Sequence, residues 1–390
     1  MNNTRVTDTW DKYEKGLTFF DRHSYISKCS IHSDFYSGQH YNGLTRGKEL
    51  PRPVLAISKR IIDFKVSSVM SEEVKPNFRI EGEPNGNDLS NASEIFSRYS
   101  KTAWEDIDQR TLNEEMLLNA AITGSGFIHY YYDKGSSYGN THVSIGVMRG
   151  EVIDSTNVFL GDPTDRRINL HGKAHQPYVI IKMREHKSNI DENIQSDKLD
   201  GNEPYSNIEL DDDSKATVLL HYFKKNGTVW FKKTTKNTTI VNETDTGMSI
   251  YPIAIFNWDV KKNFAYGTSE MEGQIPNQKS VNLMLALILE SAKKTALPKI
   301  VYDSSRVQHI SNEAGVAIGI DGDITNAIKN IDAGNISSDA FTVLSTVVTL
   351  TKDLAGANEN ALGEARAENT SALAWAQKQS SIPMESIRRR

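Results

Sequence analysis

Residues 266–298, YGTSEMEGQIPNQKSVNLMLALILESAKKTALP, decide the fold of the last third of the chain. Gly267-Thr268-Ser269-Glu270 is typical of a helix cap, and its acidic residues would interact favourably with the helix dipole in the first turn. The pattern predicts a long helix to Leu297, because Pro298 cannot continue it. Pro276 predicts either a kink or a helix start nearer Ile275.

The most apolar part of this helix, residues 281–289, is about half as long as a bilayer span requires. It therefore predicts a helix packed against protein and no membrane association. The N-terminal residues lack the apolar core of a secretory signal, which favours synthesis in the cytoplasm.

A compact α/β insert is predicted after this helix, at residues 299–335, with strands at 300–302 and 315–320 and a turn at Asp321-Gly322-Asp323. Ser337-Ser338-Asp339 can cap a second helix over residues 341–354. Its many Thr and Val residues lower its helix propensity, so neighbouring helices must stabilise it. A polar loop of small residues at 356–369 then leads into the start of another helix.

The first third of the chain predicts three helices. One amphipathic helix covers residues 10–35 and ends at Ser37-Gly38. A second begins after Pro51 or Pro53 and ends at Pro76. A third covers residues 91–122 and stops at Gly124-Ser125-Gly126.

Short β-branched and aromatic runs follow, and they predict strands at residues 127–132, 142–148, 152–160, 178–183, 218–223, 228–234 and 253–258. Lys225-Asn226-Gly227 predicts a hairpin turn. Residues 185–215 are polar and predict a mobile surface loop. The order of elements predicts an α+β fold.

Composition limits the function. With 390 residues, 38% of them hydrophobic, the chain can bury a large core. A net charge of −5 argues against a protein that grips nucleic acid by neutralising many phosphates. Cys29 is the only cysteine, so neither an intrachain disulfide nor a site of paired cysteines for zinc can form.

Motifs for chemistry are incomplete. The segment from Gly43 to Lys48 is one residue too short for a phosphate-binding loop, and no Gly-x-Ser-x-Gly nucleophile motif occurs. His23, Cys29 and His32, with His40 beyond them, match no spacing of metal ligands. The sequence therefore predicts no catalytic residue, no metal site and no cofactor.

Four segments stand out in order along the chain. Three are Asp34-Phe35-Tyr36-Ser37-Gly38-Gln39-His40-Tyr41, Ala120-Ala121-Ile122-Thr123-Gly124-Ser125-Gly126, and Asn157-Val158-Phe159-Leu160-Gly161-Asp162-Pro163. The fourth is Tyr266-Gly267-Thr268-Ser269-Glu270, followed by helix, insert, helix, polar loop and Thr370-Ser371-Ala372-Leu373. Together they resemble the portal proteins of tailed bacteriophages (Caudoviricetes), the head-to-tail connector family, in which Trp is usual at the position of Tyr41.

This resemblance implies a portal fold divided into a mixed α/β wing, a helical stem and a small α/β clip. The wing would cover residues 1–266, helical to about residue 123 and β-rich after it, with the mobile loop at 185–215. The stem helices would cover 267–297 and 337–355, the clip 298–336, the channel loop 356–369 and the start of a long wing helix 370–390. The crown domain expected to follow in the family is not present in these residues.

The resemblance also implies a function, that of a subunit of a closed ring of twelve copies at one vertex of the capsid. Double-stranded DNA would pass through the ring during packaging, retention and ejection. The partners implied are a terminase motor, a head-tail adaptor, and major capsid and scaffolding proteins. The chain would thus belong to the virion and would not be an enzyme.

The channel loop should come nearest to the DNA, through Asn358, Glu359, Asn360, Leu362, Glu364 and Arg366. Lys293 and Lys294, near the end of the first stem helix, could form basic rings in the channel. Solvated loop charges and salt bridges between subunits are the alternative interpretations of these residues.

Two other functions remain open at the level of sequence. One is a different phage structural or adaptor protein of the head-tail region without a DNA channel. The other is a nucleic-acid-processing enzyme with a cryptic site. Oligomeric state and turnover distinguish the three.

Overall fold

The computed structural model describes residues 2–43, 50–71, 78, 87–133, 146–188, 190, 214–296, 299–305, 307, 319–322, 328–331, 338–356 and 385–387. The described chain is α+β, as predicted. Its helices are α1 (Asn2–Arg22), α2 (Tyr25–Tyr36), α3 (Ile57–Val69), α4 (Asn87–Asp106), α5 (Gln109–Thr123), α6 (Glu270–Ala296) and α7 (Ser338–Leu354). Its strands are β1 (Ser125–Asp133), β2 (Val147–Asp154), β3 (Val158–Leu160), β4 (Asn169–Leu170), β5 (Lys173–Ala174), β6 (Tyr178–His186), β7 (Lys215–Lys225), β8 (Thr228–Thr234), β9 (Thr239–Asp245), β10 (Ile253–Asn257), β11 (Lys299–Tyr302) and β12 (Ile328–Ile331).

The first predicted helix, residues 10–35, is two helices in the structure. Ser24 has a left-handed backbone (φ 50°) that separates α1 from α2. The break lets the rings of Phe20 and Tyr25, one from each helix, pack 4.9 Å apart in the core. The prediction of one continuous helix was therefore wrong. Serine rarely adopts a positive φ, so no local signal in the sequence indicated a break at Ser24.

The predicted third helix is also divided. Asp108, with φ 50°, separates α4 from α5, whereas the predicted stop at Gly124 is confirmed by its φ of 105°. Helix α3 begins after Pro53 as predicted and ends at Val69. Pro76, the predicted terminator, lies outside the described residues.

Two antiparallel sheets form the β-rich part. One has the strand order β10-β1-β2 and the other β3-β6-β7-β8-β9. Asn226 and Gly227 both have positive φ, which confirms the predicted hairpin between β7 and β8. Strands at 127–132, 178–183, 218–223, 228–234 and 253–258 are confirmed in position. The bounds of the surface loop predicted at 185–215 were too wide, because residues 185 and 186 belong to β6, Lys215 belongs to β7 and Ile190 is buried. Residues 189 and 191–213 lie outside the described residues.

The strands predicted at 142–148 and 152–160 were divided at the wrong place, and residues 142–145 of the first lie outside the described residues. Strand β2 runs through residues 149–151, which the pattern had left between them, and residues 155–157 form a short 3-10 helix before β3. Gly150 lies inside β2, and a glycine fits there because a Cβ would come within 2.6 Å of the side chain of Leu112. Strand β9 was not predicted, because its residues TIVNETD are mostly polar.

The long helix α6 begins at Glu270 and continues through Pro276, so the alternative start near Ile275 was wrong. The second helix, α7, is confirmed. Between them β11 pairs with β12, a strand that was not predicted. Most of the strand predicted at 315–320 lies outside the described residues, as do residues 357–384 of the predicted loop and last helix.

The largest hydrophobic core lies between α1, α2 and the two larger sheets, around fully buried Phe127, Phe159 and Tyr266. A second core joins α2, α3 and α5 to the start of α6. The base of α6 is therefore anchored in the folded body. Within the described ranges no helix is both long and apolar enough to cross a membrane.

Candidate stem junction and assembly surface

The segments singled out in the sequence meet where α6 begins. The backbones of Gly124 and Gly267 are in contact. A Cβ on Gly267 would lie 2.2 Å from the carbonyl oxygen of Gly124, and a Cβ on Gly124 would lie 2.3 Å from the carbonyl oxygen of Gly267. These distances exclude any side chain at either position without a backbone shift. The close contact requires glycine on both sides.

Two serines join the same strands and helices. The Oγ of Ser125 accepts a hydrogen bond from the backbone N–H of Gly267 at 2.7 Å and donates one to the amide oxygen of Asn257, also at 2.7 Å. The Oγ of Ser269 accepts from the N–H of Met271 at 2.9 Å, which confirms the predicted cap of α6. It also lies 2.6 Å from the carbonyl oxygen of Ile122 and donates to it.

Glu270, the first residue of α6, connects three elements. One carboxylate oxygen lies 2.6 Å from the Nζ of Lys65 in α3 and accepts from the side chain of Gln274. The other accepts from the indole N–H of Trp258 at 2.9 Å. The side chains of Lys65 and Glu270 are only 8% and 17% exposed, so this pair is largely shielded from water.

The segment at residues 157–163 is held by Tyr266. The buried hydroxyl of Tyr266 donates to the carbonyl oxygen of Val158 at 2.8 Å and accepts from the N–H of Leu160 at 3.3 Å. Burial raises the pKa of Tyr266 well above its ordinary value. The residue just before Gly267 therefore ties the third segment to the same junction.

The segment at residues 34–41 reaches α6 through His40. Its Nε2 donates to the carbonyl oxygen of Phe35 at 2.9 Å, and its Nδ1 accepts from the side-chain amide of Asn282 at 2.7 Å. These partners require the neutral imidazole, and burial lowers the pKa of His40. Phe35 itself packs in the second core with Met271 and Ile275 of α6.

Gln278 of α6 caps a helix far away in the sequence. Its Oε1 accepts from the N–H groups of Ile57 and Ser58, at 3.0 and 3.2 Å, where α3 begins. Its amide donates to Asn282, which lies one turn along α6. Ala56, at the N-cap position of α3, offers no side-chain hydrogen bond, so Gln278 supplies the missing acceptor.

Beyond this junction, helices α6 and α7, the two predicted stem helices, expose apolar side chains. On α6, Leu283 and Leu287 are 54% and 52% exposed and, four residues apart, lie on one face. On α7, Val343, Leu350 and Leu354 form a second exposed stripe, with Leu354 83% exposed. Helix α7 packs against the neighbouring helices through an adjacent face, which includes Leu344, Val347 and Val348.

A cavity of about 510 Å³ opens between α2, the chain around residues 39–42 and 50–52, and α6. Its wall is mainly apolar and includes Ile31, Phe35, Tyr41, Pro51, Leu283 and Ala286. Two cations lie at aromatic rings of this wall. The guanidinium of Arg52 is 5.8 Å from the ring centre of Tyr41, and the Nζ of Lys279 is 5.5 Å from that of Phe35.

The predicted DNA-contacting residues fall into two groups. Lys293 and Lys294 are exposed in the last turn of α6, and the Nζ of Lys294 lies 3.6 Å from a carboxylate oxygen of Glu290. The loop residues lie outside the described residues: Asn358, Glu359, Asn360, Leu362, Glu364 and Arg366.

A buried relay escaped the sequence analysis. His129 donates from Nδ1 to Glu151 and accepts at Nε2 from the hydroxyl of Tyr222, both at 2.9 Å. Tyr222 is 5% exposed and burial raises its pKa, so its hydroxyl is not presented to a substrate. The relay joins the two larger sheets. Its only sequence signal is polar residues inside apolar strands.

The N-terminal His and Cys residues do not form a metal site in the described ranges, where no group of three potential ligands comes together. Cys29 is buried and donates to the carbonyl oxygen of Thr123, and burial raises the pKa of its thiol to about 12. A thiol with that pKa is a poor nucleophile at neutral pH.

No protein-family model matches the chain, and no curated protein matches it either. Function must therefore be argued from the junction, the stem and the sequence segments that meet there.

Proposed function

We propose that this chain is a portal subunit, which forms a ring-shaped channel for double-stranded DNA at one vertex of a bacteriophage capsid. The observation that carries the proposal is that residues 34–41, 120–126, 157–163 and 266–270, the described parts of the four portal-like segments, meet around the start of α6. They are up to about 240 residues apart in sequence, as the 242-residue separation of His40 and Asn282 illustrates. Unrelated motif matches would have no reason to share one junction.

The stem supports assembly into a ring. Helices α6 and α7 expose apolar stripes on faces that the described part of the chain leaves uncovered, and such surfaces mark protein interaction sites. The stripe on α6 differs from the stripe on α7. Contact between two different patches is heterologous, which closes into a ring when the rotation between subunits allows it.

The charge of the chain agrees with a channel that lets DNA slide. A net charge of −5 is repeated in every copy, so the ring as a whole repels a polyanion weakly. Lys293 and Lys294 supply local positive charge at one end of α6. In this proposal they form basic rings, and the loop at 356–369 comes nearest the duplex. Terminase, head-tail adaptor, major capsid and scaffolding proteins are the proposed partners.

Measurement of the particle mass and negative-stain imaging of the purified chain test the ring. We expect a particle of about twelve copies with an axial hole. A monomer or an open filament would contradict the portal assignment and favour another structural or adaptor protein of the head-tail region. An ATPase and nuclease assay on the same sample should show no turnover, and magnesium-dependent turnover lost with one carboxylate would favour an enzyme.

Packaging assays test the proposed channel residues. Replacing Glu359, Glu364 and Arg366 together should leave the ring intact and alter DNA packaging or retention. Lys293→Ala with Lys294→Ala should behave in the same way if these residues form basic rings. Lys215→Ala with Lys224→Ala, on the sheet at β7, is the matched control and should change neither assembly nor packaging. Normal packaging in the triple variant would remove the loop assignment.

A further inference from the structure

We propose that the cavity beside α6 receives Leu354 from the neighbouring copy of this chain, with Asp353 pairing with Lys279 at the cavity wall. This inference deepens the proposed ring and rests on it. One subunit would contribute the cavity to the contact, and its neighbour would contribute the end of α7.

The cavity has the features of a preformed receptor for an apolar side chain. Its wall is mainly apolar, and its volume of about 510 Å³ is far larger than one leucine side chain needs. The floor is fixed, because His40 stacks on Phe35 with ring centres 4.8 Å apart and is bonded to Asn282. Leu283 belongs both to the wall and to the exposed stripe on α6, so a partner that covers the stripe also reaches the cavity.

Leu354 is the most exposed large apolar side chain in the described part of the protein, at 83%. A position of this kind at the end of a packed helix is unfavourable in an isolated chain, because each buried leucine contributes about 1.5–3 kcal/mol. Leu350, one turn earlier on the same stripe, is 53% exposed and would extend the contact along α6.

The two partners lie at the same height along the stem. Ala355 of α7 packs in one cluster with Val281 of α6, and Leu283 and Ala286 follow Val281 by two and five residues. At about 1.5 Å per helical residue, Leu354 is therefore roughly level with the cavity. A ring operator is a rotation without translation along its axis, so each subunit meets its neighbour at its own height.

Charge favours the same arrangement. Lys279 is on the cavity wall, and Asp353 precedes Leu354 on α7, where it is exposed. The one acidic residue among the described residues of the wall, Asp34, accepts a hydrogen bond from Asn42 at 3.1 Å. An incoming Asp353 would thus meet the ammonium group of Lys279, and a lysine in place of Asp353 would be repelled by it.

Cysteine cross-linking tests the contact directly, because the only native cysteine is buried. Two differently tagged chains, one Leu283→Cys and the other Leu354→Cys, are co-expressed and oxidised. We expect a covalent heterodimer from this pair, and at least a tenfold lower yield when Val343→Cys replaces Leu354→Cys. Val343 lies on the same stripe and is also exposed, at 47%, but is eleven residues away.

The outcomes separate this inference from the proposed ring. An intact ring without the Leu283–Leu354 cross-link, or with an equal yield for Val343, overturns the inference and leaves the ring in place. A homodimer of Leu354→Cys chains indicates a two-fold contact and also overturns it. A chain that remains monomeric contradicts both proposals.

Two further variants test the cavity and the charges without cysteine. Ala286→Phe fills the cavity from its own wall and should lower ring yield at least tenfold, whereas Ala292→Phe, exposed later on α6, should not. Asp353→Lys should weaken assembly, and Lys279→Glu in the same chain should restore it. Equal ring yields for the two alanine variants, or no rescue by Lys279→Glu, would contradict the cavity contact.

Discussion

The junction around Gly267 and the helices α6 and α7 beyond it differ in how far their side chains are packed within the chain. At the junction, glycines touch backbone to backbone, serine hydroxyls bridge strands to helices, and the Lys65–Glu270 pair is shielded from water. Along the stem, Leu287, Leu350 and Leu354 remain exposed although they are strongly apolar. The comparison shows that one chain completes the junction, whereas α6 and α7 keep apolar side chains exposed, which neighbouring copies would cover in the proposed ring.

The largest expected effect on the stability of the chain is at the glycine contact. Gly267→Ala places a methyl group 2.2 Å from the carbonyl oxygen of Gly124, so the backbones must separate. We expect the free energy of unfolding in urea to fall by about 4 kcal/mol. Gly273→Ala is the control, because a Cβ there meets nothing within 4 Å and alanine favours the helix by about 1 kcal/mol. Equal stabilities for the two variants would show that the junction is not tightly packed.

A smaller effect is expected at the shielded ion pair. Glu270→Gln keeps an acceptor for Trp258 but leaves the Lys65 ammonium without its counter-charge, and should reduce the free energy of unfolding by about 3 kcal/mol. Adding Lys65→Met should recover at least half of this loss. The control is Glu272→Gln, which breaks the exposed pair with Lys28 and should change stability by less than about 0.5 kcal/mol.

In the sheets, the stability of the chain should depend on pH through a buried histidine. Burial, with help from nearby Lys232 and Lys12, lowers the pKa of His221 to about 3, whereas an unfolded histidine titrates near 6.5. The unfolded state therefore binds more protons below pH 6.5, and stability is lost as the pH falls from about 6.5 towards 3. Between pH 7 and pH 5 we expect a loss of about 2 kcal/mol from this group.

Urea titrations at several pH values measure this loss, and His221→Gln should remove most of it. His32 and His40 contribute in the same direction, since burial lowers both of their pKa values. Helices α6 and α7 contain no histidine, so the response belongs to the rest of the chain. A pH dependence unchanged in His221→Gln would show that this imidazole is protonated in the folded state.

A substitution on the exposed face of α6 should have the smallest effect on the free energy of unfolding and a large effect on ring assembly. Leu287→Glu replaces a side chain that is 52% exposed and should change the free energy of unfolding of the isolated chain by less than about 0.5 kcal/mol. It should nevertheless abolish the ring, because it buries a charge in the subunit contact. Leu117→Glu, in the second core, should unfold the chain instead. Normal rings with Leu287→Glu would contradict the need for neighbouring copies along this face.

Much of the fold could be predicted from the sequence where local signals were strong. The cap at Ser269, the stop at Gly124 and the hairpin at Asn226-Gly227 depend on residue types with few alternatives. The breaks at Ser24 and Asp108 could not be predicted, because both residues adopt positive φ without being glycine. Strand β9 was missed because its polar residues carry little β signal. Strand β2 was divided in the prediction because residues 149–151, which include Gly150, carry little β signal either.

The junction was predictable only in part. The sequence indicated each of its segments, yet nothing local revealed that Gly124 would touch Gly267 or that Gln278 would cap α3. Such contacts depend on tertiary structure, which pairs residues far apart in the chain. The exposed stripes had the opposite difficulty, because the apolar residues of α7 predicted a packed helix and gave no sign of which face its own chain would leave open.

The cap that Gln278 provides for α3 has a consequence for synthesis. Its hydrogen bond to Ser58 spans 220 residues, so at about 5–20 residues per second the ribosome adds Gln278 roughly 10–45 s after Ser58. During that interval the apolar face of α3, including Ile61 and Ile62, has no stem helix to pack against. We therefore expect nascent chains that end before α6 to require chaperone protection, and chains that extend beyond it to be released.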